Sequence, residues 1–292
     1  MAKPTEKRPS PSRIEGFFSV GDALSLYYWG LTPARSARGT VVFVHGVGEH
    51  SGRYAAAFES FAQQGYRCFG FDQRGFGRSA GERGHVATFA RYADDLAVFL
   101  DHLAVATPGQ PVFLLGHSMG TFVVLLYALR CTPSLAGLLI YSCPLKLSRS
   151  MAFGGWVARR LADWIPRVRI PTMIKPADLS EDRAAQDAFR RDPKVSGTVT
   201  IGWLAAFSRA RDSILAGADR IRVPVAINHG GADRIADPAG AAILLDRLGS
   251  ADKTLKVYDG LRHELLNQRR EDPAGVLRQT FDWLDRHAAP WS

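Results

Sequence analysis

The sequence predicts an α/β protein built on a mostly parallel sheet of about eight strands, with helices on both faces of the sheet. Two observations support this class: short apolar runs recur along the chain, and segments with a helical spacing of apolar residues separate them. The apolar runs that indicate buried strands are 24–28, 41–44, 67–71, 111–115, 137–141, 223–228 and 254–258. The segments that indicate helices are 54–64, 92–103, 121–129, 241–248 and the stretch after Pro273. Parallel strands end at one edge of such a sheet, where residues distant in sequence meet.

The helical segments each carry an apolar stripe that can pack against the sheet. In segment 92–103, Tyr92, Leu96, Phe99 and Leu103 recur every three or four residues, which is the spacing of one helix face. Plain packing on the sheet explains this stripe better than an aromatic interaction surface.

The most informative motif is Gly116-His117-Ser118-Met119-Gly120, which lies between an apolar run and a helical segment. G-x-S-x-G between a strand and a helix is the nucleophile elbow. Because the turn is tight, the residues two before and two after the serine must be small, and glycine stands at both positions. The motif predicts a strained Ser118 with its hydroxyl at the positive end of the next helix. A turn serine without chemistry is the alternative interpretation.

A serine hydroxyl becomes a useful nucleophile only when a base removes its proton and a third group holds that base. Two later apolar runs end in polar loops that could supply these groups. The first of these loops contains Asp233 and the second contains His263. We therefore expect Ser118, Asp233 and His263 to meet at the sheet edge, in the chain order typical of α/β hydrolases.

Other acidic residues and histidines have simpler roles. Asp237 precedes Pro238 and an apolar stretch, so it is predicted to begin a helix. Asp259 is followed by glycine and is typical of a turn. His229 precedes the candidate acid, Asp233, by only four residues, and we expect it to brace a loop.

Ester or amide hydrolysis also needs N–H donors directed at the developing oxyanion, and losing one costs about 3 kcal/mol of transition-state stabilisation. In this arrangement one donor is the backbone N–H of the residue after the nucleophile, here Met119. The other comes from the loop after an earlier strand. The loop 45–49 fits because Gly46 and Gly48 let the backbone approach a ligand closely. The second donor is predicted to be the Val47 N–H.

The same loop raises the alternative of dinucleotide binding. Gly46, Gly48 and Gly52 follow a strand, but their spacing is one residue too long for the fingerprint, and no acidic residue stands where a ribose would need one. The sequence contains no P-loop, H-E-x-x-H or paired C-x-x-C motif. We therefore expect no cofactor and no metal.

Five segments, in order, resemble the motifs of monoacylglycerol lipases and related lysophospholipase-like α/β hydrolases of the serine aminopeptidase S33 superfamily. They are 45–54, 72–84, 116–120, 231–233 and 263–267, and the resemblance extends over roughly residues 14–288. It implies Ser118, Asp233 and His263 as the catalytic triad and Val47 and Met119 as the oxyanion donors. It also implies single-chain lipid esters, monoacylglycerols first, as substrates. A lysophospholipase, a broad carboxylesterase and a ligand-binding relative without turnover are the alternatives.

Some positions near the alcohol side of the site match the family and others depart from it. Glu49 and Arg53 match positions near the family's alcohol pocket. Gln73 and Phe76 stand where histidines often occur, and Arg262 stands where a tyrosine often precedes the catalytic histidine.

Length and composition indicate one domain, residues 14–292, preceded by a flexible N-terminal arm of residues 1–13. A hydrophobic content of 46% is sufficient for a large core. The three cysteines, Cys68, Cys131 and Cys143, lie in or beside apolar segments, which favours buried thiols in the reducing cytoplasm. The apolar runs are far shorter than a membrane span.

Residues 144–217 show no strand pattern and are predicted to form a helical cap inserted between two strands. Arg159 and Arg160 are expected on the polar face of a helix in this cap. The apolar face would contain Phe153, Trp156, Val157, Leu161, Trp164 and Ile165. We expect this face, with Met151, to cover the acyl pocket; transient contact with a lipid surface is the alternative. A net charge of +9 favours anionic surfaces, and the absence of a dense basic run argues against nucleic acid.

Overall fold

The computed structural model describes residues 10–104, 109–130, 135–146, 149–268 and 272–288. Its strands are β1 (Ser12–Val20), β2 (Leu24–Thr32), β3 (Thr40–Val44), β4 (Arg67–Phe71), β5 (Val112–His117), β6 (Gly137–Tyr141), β7 (Arg169–Pro171), β8 (Thr198–Thr200), β9 (Val225–Gly230) and β10 (Lys253–Tyr258). Its helices are α1 (Ala55–Gln63), α2 (Ala90–Ala104), α3 (Met119–Arg130), α4 (Arg149–Leu161), α5 (Pro176–Leu179), α6 (Arg183–Arg191), α7 (Ile201–Gly217), α8 (Ala239–Arg247) and α9 (Asp272–His287).

Eight of the described strands form one sheet in the order β1-β2-β4-β3-β5-β6-β9-β10. Strand β2 runs antiparallel to both of its neighbours, and the pairs from β4 to β10 are parallel. The predicted mostly parallel sheet is therefore confirmed. The bounds of β4 and β6 coincide with the predicted apolar runs.

Both faces of the sheet are covered by helices, as predicted. Strand β3 shows why its sequence is continuously apolar: Val42 and Val44 enter one core cluster while Val41 and Phe43 enter the other. The first cluster includes apolar side chains of α2, α3, α7 and α8. The second includes apolar side chains of α1 and α9.

The N-terminal edge of the sheet corrects the sequence prediction. Residues 1–9 of the predicted arm lie outside the described residues, as does Cys131. Ser12 and Arg13, however, belong to β1, which pairs antiparallel with β2. In β1 only Phe18 and Val20 are buried, because the strand lies at the sheet edge with one face open to water. The alternation of buried residues is confined to Phe18 and Val20, and the exposed Phe17 interrupts it in the sequence, so the pattern was too short to identify the strand.

The segment 144–217 contains helices α4 to α7, but it is not purely helical as expected. Strands β7 and β8 pair antiparallel, with Ile170 opposite Val199. Three residues are too few to show an alternating pattern, so these strands could not be identified from the sequence. Within the described ranges, none of the helices combines the length and the apolar character needed to cross a membrane.

Helix α4 is oriented differently from the expectation. It packs on α7 through small side chains, with Ala158 and Ala162 clustered against Ala205. The large side chains expected to cover the acyl pocket are instead turned outward: Phe153 is 65% exposed and Trp156 is 52% exposed. Small residues allow two helices to approach closely, so the alanines and not the aromatic residues form the packed face.

A buried ion pair attaches the loop after β4 to helix α2. The Arg74 guanidinium donates two hydrogen bonds to the Asp95 carboxylate, each 2.6 Å long. The two residues are only 8% and 1% exposed. The adjacent Asp94 pairs with Arg130 at 2.8 Å, but both of these side chains are nearly half exposed. The neighbouring aspartates thus provide a buried and an exposed version of the same interaction.

We predict that Asp95→Ala lowers the free energy of unfolding by about 3–5 kcal/mol, because it removes the carboxylate that binds the buried Arg74 guanidinium through two hydrogen bonds. Asp94→Ala should change the free energy of unfolding by less than about 1 kcal/mol, because its ion pair is screened by water. Urea denaturation of both variants measures the difference. Equal losses in the two variants would contradict the assignment of the stabilising role to the buried pair.

Candidate active site

Ser118 stands between the end of β5 and the start of α3. Its φ angle is 51°, in the left-handed region that non-glycine residues rarely adopt. The Ser118 N–H donates to the Tyr141 carbonyl at 2.9 Å. The Ser118 carbonyl accepts from the N–H and the hydroxyl of Thr121 at 2.9 and 2.6 Å. These bonds hold the strained backbone conformation that the elbow motif predicts.

The elbow glycines allow backbone to pack directly on backbone. A Cβ atom at Gly116 would lie 2.6 Å from the Gly120 carbonyl oxygen, and a Cβ atom at Gly120 would overlap the Val44 carbonyl oxygen. Gly46 also lies against the serine, since a Cβ atom at this position would be 3.2 Å from the Ser118 Cβ. The start of α3 is therefore pressed against the end of β3 and the loop that follows it.

Asp233 and His263 follow β9 and β10, and both are buried. The His263 Nδ1–H donates to Asp233 Oδ2 at 2.7 Å. The other carboxylate oxygen accepts from the N–H groups of Ile235 and Ala236 at 2.8 and 2.9 Å. One oxygen thus holds the histidine while the other holds the loop that carries the acid.

Ser118 and His263 line the same small cavity, together with Val47. Among the described residues, no hydrogen bond joins Ser118 to His263. The two side chains are instead brought together as walls of the same cavity. Contacts of this kind often tighten only when substrate is bound. The N–H groups of Val47 and Met119 donate to no protein acceptor among the described residues, which leaves them available to a ligand.

Glu49 organises a buried network that the sequence analysis did not predict, since that analysis placed Glu49 and Arg53 only near the family's alcohol pocket. Its Oε1 accepts from the Gly46 N–H at 2.6 Å and from the Tyr54 hydroxyl at 2.8 Å, and it lies 3.1 Å from His117 Nδ1. Burial lowers the pKa of His117, but the hydrogen bond and charge of Glu49 outweigh it and raise that pKa overall. A protonated His117 donates from Nδ1 to Glu49 and from Nε2 to the His263 carbonyl, 3.2 Å away.

Arg53 links Glu49 to a second buried carboxylate, Glu264. The Arg53 Nε lies 3.2 Å from Glu49, and its Nη2 is 2.8 Å from both Glu264 oxygens. The guanidinium also lies over the Phe189 ring, 4.8 Å from its centre. The sequence signals for Glu264 were its position directly after the candidate base and its place in the family-like segment 263–267.

The other polar residues near the acid have the simple roles expected of them. The His229 Nε2–H donates to the Ala236 carbonyl at 3.0 Å and therefore braces the loop of Asp233. Asp237 accepts from the Ala239 N–H at 2.9 Å at the beginning of α8.

The departures from the family motifs are also explained by contacts. Gln73 donates through its amide to the His45 carbonyl at 2.7 Å, and its N–H donates to His45 Nε2 at 2.9 Å. Phe76 is buried with its ring edge-on to His45. Arg262 is directed at the 144–217 segment, where it donates to the Ala177 carbonyl and pairs with Glu181 at 2.8 Å.

An elbow serine on a mostly parallel sheet of this topology defines an α/β hydrolase. Residues 35–270 match the model of the serine aminopeptidase S33 family, and the chain belongs to that family. It is 30% identical to a monoacylglycerol lipase of Mycolicibacterium smegmatis, over 95% of this chain and 99% of that one. It is 31% identical to human monoglyceride lipase, over 92% of this chain and 89% of the relative.

Solved structures show the same similarity. The crystal structure of Paleococcus ferrophilus monoacylglycerol lipase has a TM-score of 0.80 and 28% identity, covering 96% of this chain and all of that one. A soluble variant of the Saccharomyces cerevisiae monoglyceride lipase, solved with a substrate analogue, has a TM-score of 0.83 and 25% identity. That comparison covers 98% of this chain and 99% of the yeast protein.

The ionisation of Asp233 provides a pH-dependent test of the site. Burial raises the pKa of Asp233, but the charge of His263 and hydrogen bonds from His229, His263 and Ala236 outweigh burial and lower it well below the ordinary value. A carboxyl whose pKa is lower in the folded state stabilises that state at neutral pH. The stabilisation is lost as the pH falls from the unfolded-state value, about 3.9, through the folded-state value.

We predict that the difference in unfolding free energy between the wild type and Asp233→Asn is largest near neutral pH and shrinks as the pH falls below about 4. Asparagine has no charge to lose, so only the wild type is affected by protonation at this position. Urea denaturation at several pH values measures the difference. A difference that stays constant with pH would show that the charge of Asp233 does not stabilise the fold.

Proposed function

We propose that the protein is a serine hydrolase that cleaves carboxylic esters of single-chain lipids, with monoacylglycerol converted to fatty acid and glycerol. The observation that carries the proposal is the buried Asp233–His263 hydrogen bond at the cavity that also contains the strained Ser118. The substrate class is supported by the relatives, which are named monoacylglycerol and monoglyceride lipases. A serine, a base and an acid in this arrangement perform acyl transfer.

In the proposed reaction the Ser118 oxygen attacks the ester carbonyl while His263 accepts the hydroxyl proton. Ionised Asp233 orients the imidazole and stabilises its protonated form. The N–H groups of Val47 and Met119 donate to the oxyanion of the tetrahedral intermediate. His263 then gives its proton to the departing alcohol, leaving an acyl-enzyme. Water, deprotonated by the same histidine, releases the fatty acid and restores Ser118.

We further propose that the chain from β1 onward is one domain in which the segment 144–217 forms the cap over this site. Ile174, Leu179 and Phe189 from that segment line the cavity of Ser118. They supply an apolar wall on which an acyl chain can pack. Because each methylene removed from water contributes about 0.8 kcal/mol, longer acyl chains should bind better than acetate until the wall is fully covered.

The outer surface of the cap supports a reversible contact with an anionic lipid surface. Trp164 is 84% exposed. Phe153 stacks on Trp156, three residues further along α4. The Arg160 guanidinium lies over the Trp156 ring, 4.9 Å from its centre. The segment 144–217 contains 13 lysines and arginines against 7 acidic residues. Exposed aromatic residues beside cations are typical of a surface that inserts shallowly among anionic headgroups.

We predict that Ser118→Ala abolishes turnover and abolishes labelling by a fluorophosphonate probe, because no other group can form the acyl-enzyme. The wild type should hydrolyse medium- and long-chain monoacylglycerols faster than short esters, since their chains bury more methylenes. Initial rates across monoacylglycerols, lysophospholipids and para-nitrophenyl esters test both statements. A flat rate profile would favour a broad carboxylesterase, and an unlabelled folded wild type would favour a ligand-binding protein.

We predict that Trp164→Ala weakens binding to vesicles containing phosphatidylglycerol by about tenfold. This is the effect expected when one large side chain that would be buried in the lipid is removed. Phe17→Ala is the matched control, because Phe17 is a similarly exposed aromatic residue that lies outside the cap. Vesicle sedimentation measures the binding. Equal binding to neutral phosphatidylcholine vesicles, or equal losses in the two variants, would contradict the proposed surface.

A further inference from the structure

The loop that carries the Val47 N–H is contacted by the cap as well as by the sheet. We call residues 45–50 the oxyanion loop and residues 192–196, which connect α6 to β8, the cap connector. The side chain of His50 donates from Nε2 to Asp192 Oδ2 at 2.7 Å. The Ser196 N–H donates to the Gly48 carbonyl at 2.7 Å. Two hydrogen bonds therefore join the cap connector to the oxyanion loop.

The direction of the His50 hydrogen bond follows from its second contact. His50 Nδ1 accepts from the Gly52 N–H at 3.2 Å, so the ring proton is on Nε2 and points at Asp192. The other Asp192 oxygen accepts from the Lys194 N–H at 2.9 Å, which orients the carboxylate. The His50 side chain is buried, and the Asp192 side chain is 21% exposed. The bond is thus held at both ends.

The backbones of the two segments approach each other closely. Gly48 has a φ angle of 74°, and a Cβ atom at this position would overlap the Ser196 carbonyl oxygen. On the other side of Val47, the Gly46 N–H is bound by Glu49. Val47 therefore lies between one residue fixed by the core of the site and one fixed by the cap.

We propose that Asp192 is a positioning residue for the oxyanion hole: through His50, and together with the Ser196–Gly48 bond, the cap connector places the Val47 N–H. The inference rests on the proposed function, in which Val47 donates to the oxyanion. The cap then acts on the chemical step as well as on the binding of the substrate's acyl chain. Misplacing an oxyanion donor slows the reaction without weakening ground-state binding.

The test compares Asp192→Ala, Asp192→Asn and the control Asp187→Ala. Asp187 lies in α6, beside the cap connector, and its ion pair with Arg190 is half exposed. The substrate is para-nitrophenyl butyrate, whose short chain needs little of the cap. Asp192→Ala should lower kcat by about ten- to a hundredfold with KM nearly unchanged. Asp192→Asn keeps an oxygen acceptor and should retain most of the rate, and Asp187→Ala should match the wild type.

Wild-type kcat in Asp192→Ala would overturn the inference. So would a loss confined to long-chain monoacylglycerols, or equal losses in the alanine and asparagine variants, since neither follows from a misplaced donor. Thermal unfolding midpoints show whether the variants are folded at the assay temperature. Should Asp192→Ala unfold, His50→Phe takes its place, because it keeps a ring of similar size, removes the same hydrogen bond and should show the same loss in kcat. Turnover that survives Ser118→Ala would overturn the proposed function itself, whereas Ser118-dependent turnover insensitive to Asp192 would overturn this inference alone.

Discussion

The close packing of the start of α3 against the end of β3 is the constraint on which the site depends. It leaves no room for a side chain at Gly116 or Gly120 and holds Ser118 in the left-handed region. It also brings the first N–H groups of α3 close to the loop that contains Val47. A cavity lined by Ser118 and Val47 therefore follows from a backbone contact between the start of a helix and the end of a strand. The strain at the serine is balanced by the surrounding hydrogen bonds.

A second constraint is the balance of buried charge. Glu49 and Glu264 are both buried, and burying a carboxylate is costly unless a cation and hydrogen bonds accompany it. Arg53 supplies a cation to both carboxylates, and His117 adds a hydrogen-bond partner for Glu49. Because Glu49 accepts from the Gly46 N–H within its own loop and His117 contacts the His263 carbonyl, the charge network joins the loops that carry Ser118, His263 and Val47. The same interactions that neutralise the charges also position these loops.

The segment 144–217, the proposed cap, contacts both sides of the candidate site. On the base side, the Glu264 N–H donates to the Leu179 carbonyl at 2.9 Å, and Arg262 pairs with Glu181. On the oxyanion side, Asp192 and Ser196 bind the loop that carries Val47. The outer surface of the cap exposes aromatic residues beside arginines. A displacement of this segment would therefore move groups that line the cavity of Ser118 and His263.

The sequence alone determined the parallel strands, the elbow at Ser118 and the candidates Asp233 and His263, because apolar runs and short motifs are local properties of the chain. The tertiary structure decided the rest. Strand β1 is stabilised by its pairing with β2. The close fit of Ala158 on α7 determines which face of α4 is buried. The ion pair with Arg53 determines the role of Glu264. Each of these depends on a partner distant in sequence. Local pattern carries no information about such a partner, since it is the folded chain that brings the two together.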